Sequence, residues 1–267
     1  ASFYNDSKYI LKYASKDASD IAELMNENKE KYNDIKTMKI LDKDVTKENI
    51  QKAKEFLMQS KVDDEVIVFI AGHGLLTKEF DYYFATSDMD FSNPEERGVT
   101  FEEIENLLDG IPARKKVLFM DTCHSGEIDK EDIKEVKKKR IEVGEVVFRS
   151  VGETEYVSKV EKKFGLKNTS QILQEMFVDF RRGSGAVVIA SSGGLEFAWE
   201  GGGFKNGLFT YCLLEGIKTK NADLNKDGEI TIGELRNYVS DKVEKLTNGA
   251  QRPAFRRENL DFDFIIW

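Results

Sequence analysis

Almost all the covalent chemistry this sequence can offer sits in two short segments. There are only 2 histidines and 2 cysteines. His73 lies in Gly72-His73-Gly74, directly after the apolar run Val66–Ala71 (VIVFIA). Cys123 lies in Asp121-Thr122-Cys123-His124-Ser125-Gly126, directly after Val117–Met120 (VLFM). A free thiol titrates near ~8.5 and is only partly thiolate at neutral pH, so a nucleophilic cysteine needs an imidazole or a helix N-terminus beside it. If the two runs are adjacent strands of an open parallel sheet, His73 and Cys123 emerge together at the carboxyl ends, where such sheets build their sites. The glycines flanking His73 let the backbone approach a substrate closely. Each residue alone has a plainer reading, a small buried hydrophobe for the cysteine and a hydrogen-bonded loop residue for the histidine. The pair at two strand ends favours a nucleophile with its base. So few Cys and His residues leave no set to close a zinc site.

A second motif stands apart. Asp223-Leu-Asn225-Lys-Asp227-Gly228, followed after five residues by Glu234, fits the spacing of a calcium-binding EF-hand loop. Asp223, Asn225, Asp227 and Glu234 would offer side-chain oxygens, Glu229 a backbone carbonyl and Thr231 a hydroxyl or a water contact, with Gly228 at the tight turn. The alternative is an ion-free turn, since Asp and Asn cap turns and Thr231/Glu234 is itself a capping box. No cofactor is required for the thiol chemistry, and calcium is the ion this loop would take.

The elements that must position these residues follow from periodicity. Val66–Ala71, Val117–Met120 and Ala186–Ala190 read as buried strands, with Met38–Leu41 as a fourth. Helices are expected over Asp17–Lys29, after an N-cap at Thr46, after the Thr100/Glu103 capping box, through the stripe Ile172, Leu173, Met176, Phe177 and Phe180, and over Leu208–Lys218 and Ile232–Leu246. Alternating strands and helices imply an α/β fold, a mostly parallel sheet covered by helices on both faces. Residues 127–167 break the pattern. They are highly charged and read as a surface insertion with a hairpin around Glu145–Val157. Cys212, in LFTYCLLEGI, has apolar neighbours at helical spacing and reads as core, whereas Trp199 and Trp267 suit core or pocket wall equally.

Composition narrows the function classes. The chain has 267 residues, 40% hydrophobic and 33% charged, which suits one globular α/β domain over 1–267. The net charge of −9 argues against tracking nucleic-acid phosphates. No apolar run reaches the roughly 18 residues of a membrane span and no signal peptide opens the sequence, so a cytoplasmic protein without membrane partners is expected. The first residue is Ala1, which suggests a processed chain or one domain of a longer one.

FIAGHG followed by LFMDTCHSG resembles the caspase and metacaspase superfamily of cysteine peptidases. The DxCHSG form is closer to metacaspases and bacterial caspase-like domains than to animal caspases. The interval of 50 residues from His73 to Cys123 (123 − 73) is similar to the roughly 50 of caspases. Further text resembles the family: Tyr13-Ala-Ser-Lys-Asp-Ala18 its early "DA" helix, Ala190-Ser-Ser-Gly its serine-rich strand end, Asn206-Gly-Leu-Phe-Thr210 its "NGLFT" segment, and Gln251-Arg-Pro253 a late Gln-x-Pro. The strand that normally precedes the DA helix has only Ala1–Tyr4 to represent it.

The resemblance implies a caspase-like fold and an endopeptidase. Cys123 would form the thioester acyl-enzyme, His73 would protonate the leaving amine, and the backbone N–H groups of Gly74 and Cys123 would bind the oxyanion. His124 would be structural, and Thr122 and Ser125 turn residues. Asp121 stands where metacaspases carry an acidic S1 residue and would pair with Arg or Lys at P1. Ser191–Glu200 would supply the other S1 wall, with Glu196 or Glu200 adding charge or being loop acids. The charged insertion lies where caspases are cut on activation, and Lys137–Arg140, Arg149, Arg181 and Arg182 would offer basic sites for self-processing. Partners would be protein or peptide substrates and an upstream sensor or regulatory domain. Two other readings remain open: a catalytically silent, calcium-responsive interaction module on the same fold, and a peptidase preferring acidic P1 residues.

Overall fold

The computed structural model describes residues 1–29, 31–77, 81–122, 146–148, 185–192, 198–255 and 263–267. Its helices are α1 (Ala14–Glu27), α2 (Lys47–Leu57), α3 (Pro94–Arg97), α4 (Phe101–Leu108), α5 (Leu208–Lys218) and α6 (Ile232–Leu246). Its strands are β1 (Glu65–Gly72), β2 (Gly74–Leu76), β3 (Tyr82–Phe84), β4 (Val99–Thr100), β5 (Lys115–Thr122), β6 (Val146–Phe148), β7 (Val187–Ala190), β8 (Trp199–Gly201) and β9 (Ala254–Phe255).

The three apolar runs form one sheet in the order β1-β5-β7, parallel throughout, with β9 added antiparallel at the edge. Such runs escape water only when both faces are covered, and side-chain alternation divides β5 accordingly. Leu118 and Met120 enter one apolar cluster with Ile50 of α2 and Ile104, Leu107 and Leu108 of α4. Val117 and Phe119 enter another with Ile21 and Leu24 of α1, Phe209 and Leu213 of α5, and Leu235 and Val239 of α6. Burying each such side chain contributes about 1.5–3 kcal/mol. A one-residue slip of β5 would exchange its two faces, so the core fixes the register and with it the strand ends that carry the site.

The helix starts have the expected chemistry. The Thr46 hydroxyl accepts from Asn49 N–H at 3.3 Å, and Thr100/Glu103 and Thr231/Glu234 are reciprocal capping boxes. Helix α1 opens earlier than the apolar stripe, at Ala14. Met38–Leu41 corrects a sequence expectation: it forms no strand, because no neighbouring strand among the described residues takes up its backbone groups. The hairpin expected around 145–157 is described only at β6, which pairs antiparallel with β8. The Ile172–Phe180 stripe and the rest of the charged insertion lie outside the described residues.

Candidate active site

The site grows from the carboxyl ends of β1 and β5. Their parallel ladder runs from Glu65↔Lys115 to Ala71↔Asp121 and Gly72↔Thr122. In sequence, the residue that follows β1 is His73 and the residue that follows β5 is Cys123. Cys123, His124, Ser125 and Glu196 lie outside the described residues.

His73 is 3% exposed and held from four directions. Its backbone N–H donates to the Tyr4 hydroxyl at 3.0 Å, and its carbonyl accepts from Ala85 N–H at 3.0 Å. The rings of Tyr4, Tyr9 and Phe91 surround the imidazole at centroid distances of 5.1, 6.1 and 6.0 Å. Its Nε2 lies 2.8 Å from the carbonyl oxygen of Tyr9. A carbonyl has no proton to give, so Nε2 carries the hydrogen. In the neutral ring the lone pair therefore sits on Nδ1, which is the nitrogen able to take or return a proton. Gly72 is required by close approach: at φ +155° an added Cβ would lie 2.9 Å from the Tyr4 hydroxyl and 3.0 Å from the Phe84 ring. Gly74 is buried and opens β2.

At the β5 end, Asp121 is fully buried on the α5 side, and its carboxylate accepts from the Thr210 hydroxyl of α5. Thr122 ends the strand instead of forming a turn, because the sheet continues to this point and its hydroxyl bonds that of Tyr82 at 2.9 Å. The Thr122 carbonyl, which belongs to the peptide leading into Cys123, accepts from the hydroxyls of Ser191 at 3.0 Å and Ser192 at 3.4 Å. The motif letters Ser191 and Ser192 thus hold the peptide at the end of β5, a contact that their spacing alone does not disclose.

The remaining motifs brace the frame. Asp17 of the DA helix is fully buried and accepts from Gly207 N–H at 3.1 Å and from the Asn206 amide at 2.8 Å, joining it to the start of the NGLFT helix. Gln251 spans the strand ends, donating to the Ser191 carbonyl at 2.8 Å and accepting from Trp199 N–H at 3.2 Å. Trp199 and Cys212 are core residues. Burial pushes the Cys212 thiol far above its ordinary range, which disqualifies it as a nucleophile. Glu200 is buried and its carboxylate accepts from Lys12 N–H at 2.8 Å.

The acidic loop turns inward on its own backbone. Asp223 accepts from the N–H groups of Lys226 (2.7 Å), Asp227 (3.2 Å) and Gly228 (2.9 Å), and Asp227 from that of Glu229 (2.9 Å). Asn225 accepts from Asp227 N–H at 2.8 Å. Glu234 divides its oxygens between Thr231 and the amides of Leu224 and Asn225. Among the described residues, no three His, Cys, Asp or Glu side chains converge into a group able to hold a metal ion. The acids of the loop thus accept from its own backbone, as in a capped turn. No helix among the described residues is long and apolar enough to cross a membrane.

The caspase domain family model matches residues 1–265. No curated protein sequence matches the chain. Among solved structures, that of protein GSU0716 from Geobacter sulfurreducens covers 92% of this chain and 84% of its own, with a TM-score of 0.56 and 17% identity, a likeness of fold.

Proposed function

Because the chain belongs to the caspase domain family, we propose that it is a cysteine endopeptidase cutting after arginine or lysine. One observation carries the reading: β1 and β5 end in register at Gly72↔Thr122, so the chain leaves one strand into His73 and its neighbour into Cys123. The burial of Cys212 supports Cys123 as the proposed nucleophile.

In this mechanism the His73 Nδ1 takes the Cys123 thiol proton as sulfur attacks the scissile carbonyl carbon. The N–H groups of Gly74 and Cys123 stabilise the oxyanion. The tetrahedral adduct collapses to a thioester as His73 returns the proton to the leaving amine, and water, deprotonated by the same imidazole, then releases the acid. The Tyr9 carbonyl supports the imidazolium that forms midway. Asp121 is proposed to pair with the P1 cation, with Glu196 on the opposite wall. Its carboxylate is buried and accepts from the Thr210 hydroxyl, and a guanidinium pairs with a carboxylate through charge-assisted, bidentate hydrogen bonds. The substrates are proteins or peptides, with the charged insertion offering basic sites for self-cleavage. Calcium has no step in this chemistry.

The test is a P1-varied fluorogenic peptide set with wild type and Asp121→Asn. Turnover restricted to Arg and Lys at P1, and lost in the variant mainly through KM, supports the assignment. Efficient cleavage after Asp alone would refute it.

A further inference from the structure

The segment running from the short helix Ser7–Tyr9 to α1 is held at several points, and two of them link the site to β8. At one, the Tyr9 carbonyl accepts from His73 Nε2 at 2.8 Å. At the other, three residues on, the Lys12 N–H donates to Glu200 Oε1 at 2.8 Å. Between them, Leu11 is buried and its N–H donates to the Ser2 carbonyl at 3.0 Å, whereas the Ile10 side chain is 50% exposed and gives little hold. The glutamate is the fixed end of the link. Glu200 is 2% exposed, and its backbone is paired on one side with Val147 of β6 and on the other with Gly207.

A buried carboxylate is costly unless its hydrogen bonds repay it, and this one spends an oxygen on a backbone amide three residues from the carbonyl that sets the histidine's tautomer. We infer that Glu200 is a positioning residue for His73: by fixing Lys12 it keeps the Tyr9 carbonyl on Nε2 and so reserves Nδ1 for proton transfer. The inference rests on the proposed peptidase mechanism for its catalytic consequence, but not for its structural one. It gives Glu200 an employment different from an S1 charge, and the two are separable.

Two readouts test it on the whole chain. The first needs no turnover. With only 2 histidines, the imidazole region of a long-range ¹⁵N spectrum holds two spin systems, told apart with His124→Gln. At about pH 8, where an ordinary histidine is neutral, His73 is expected as a single Nε2–H tautomer in wild type and in Glu200→Gln, whose amide oxygen still accepts from Lys12. In Glu200→Ala it is expected as a mixture. The second readout is cleavage of a fluorogenic peptide with Arg at P1. Glu200→Ala is expected to lower kcat about tenfold to a hundredfold with little change in KM, and Glu200→Gln to restore it. If Glu200→Ala does not fold, Lys12→Pro removes the donor without touching β8 and is read the same way. An unchanged His73 tautomer in Glu200→Ala overturns the inference. So does a loss shared by Glu200→Gln and confined to KM for basic P1 residues, which would assign Glu200 to the specificity pocket. A wild type with the single tautomer but no Cys123-dependent turnover counts against the peptidase mechanism and leaves the positioning link standing.

Discussion

Replacing Asp17 by alanine tests the joint between the DA helix and the NGLFT helix. The carboxylate is fully buried and its acceptors serve Gly207 N–H and the Asn206 amide. Asn206 keeps a second acceptor, Asp20, at 2.7 Å, so the deletion orphans chiefly the Gly207 amide. A buried donor left without a partner costs about 1–3 kcal/mol. The carboxylate also faces the N-terminus of α5, where a negative charge contributes about 0.3–1 kcal/mol at a surface and up to ~2 in partly buried settings. Together these give a loss of about 3 kcal/mol. For a chain of this size 1 kcal/mol lowers Tm by roughly 2–4 °C, so Asp17→Ala should melt about 6–12 °C below wild type. Asp17→Asn keeps an acceptor for Gly207 and should lose about half as much. Urea unfolding, read as a shift in midpoint at constant slope, gives the free energy. A loss under about 1 kcal/mol would show that the joint is made by apolar packing of α1 on α5 and that the hydrogen bonds add little.

Three further outcomes follow from the site. Native protein treated with iodoacetamide should take up one adduct, on Cys123, because burial holds Cys212 protonated and out of reach; unfolding should expose both, and native Cys123→Ala should take up none, as intact mass would record. Gly72→Ala should fold with a Tm a few degrees lower and lose about tenfold or more in kcat, since its Cβ would push the Tyr4 hydroxyl that holds the His73 N–H; wild-type turnover in a peptide assay would contradict this. Millimolar calcium should leave Tm unchanged, because the acids of the 223–234 loop are already engaged by its own backbone; a rise of several degrees that Glu234→Gln abolishes would show the loop rearranging around the ion.

What the sequence disclosed was whatever rests on pattern. The runs VIVFIA and VLFM became the paired strands because apolar residues on both faces admit little else, and α5 and α6 start and stop where their stripes and caps predict. Asp17, Asn206 and Gln251 were visible as motif letters, but not as the bonds that join them. Met38–Leu41 had the right composition and no partner strand, which composition cannot reveal. The grip on His73 was hidden for a different reason. It is made by the backbone carbonyl of Tyr9, which any residue could supply, and by Tyr4, a hydroxyl 69 residues distant in sequence. Glu200 was considered only as a charge for substrate, since nothing in its neighbours points to an amide 188 positions away.

The most direct test of the account is turnover of a peptide with Arg at P1 by wild type, Cys123→Ala and His73→Ala, each verified as folded. The mechanism predicts cleavage by wild type alone. Cleavage that survives in either variant would contradict the Cys123/His73 assignment.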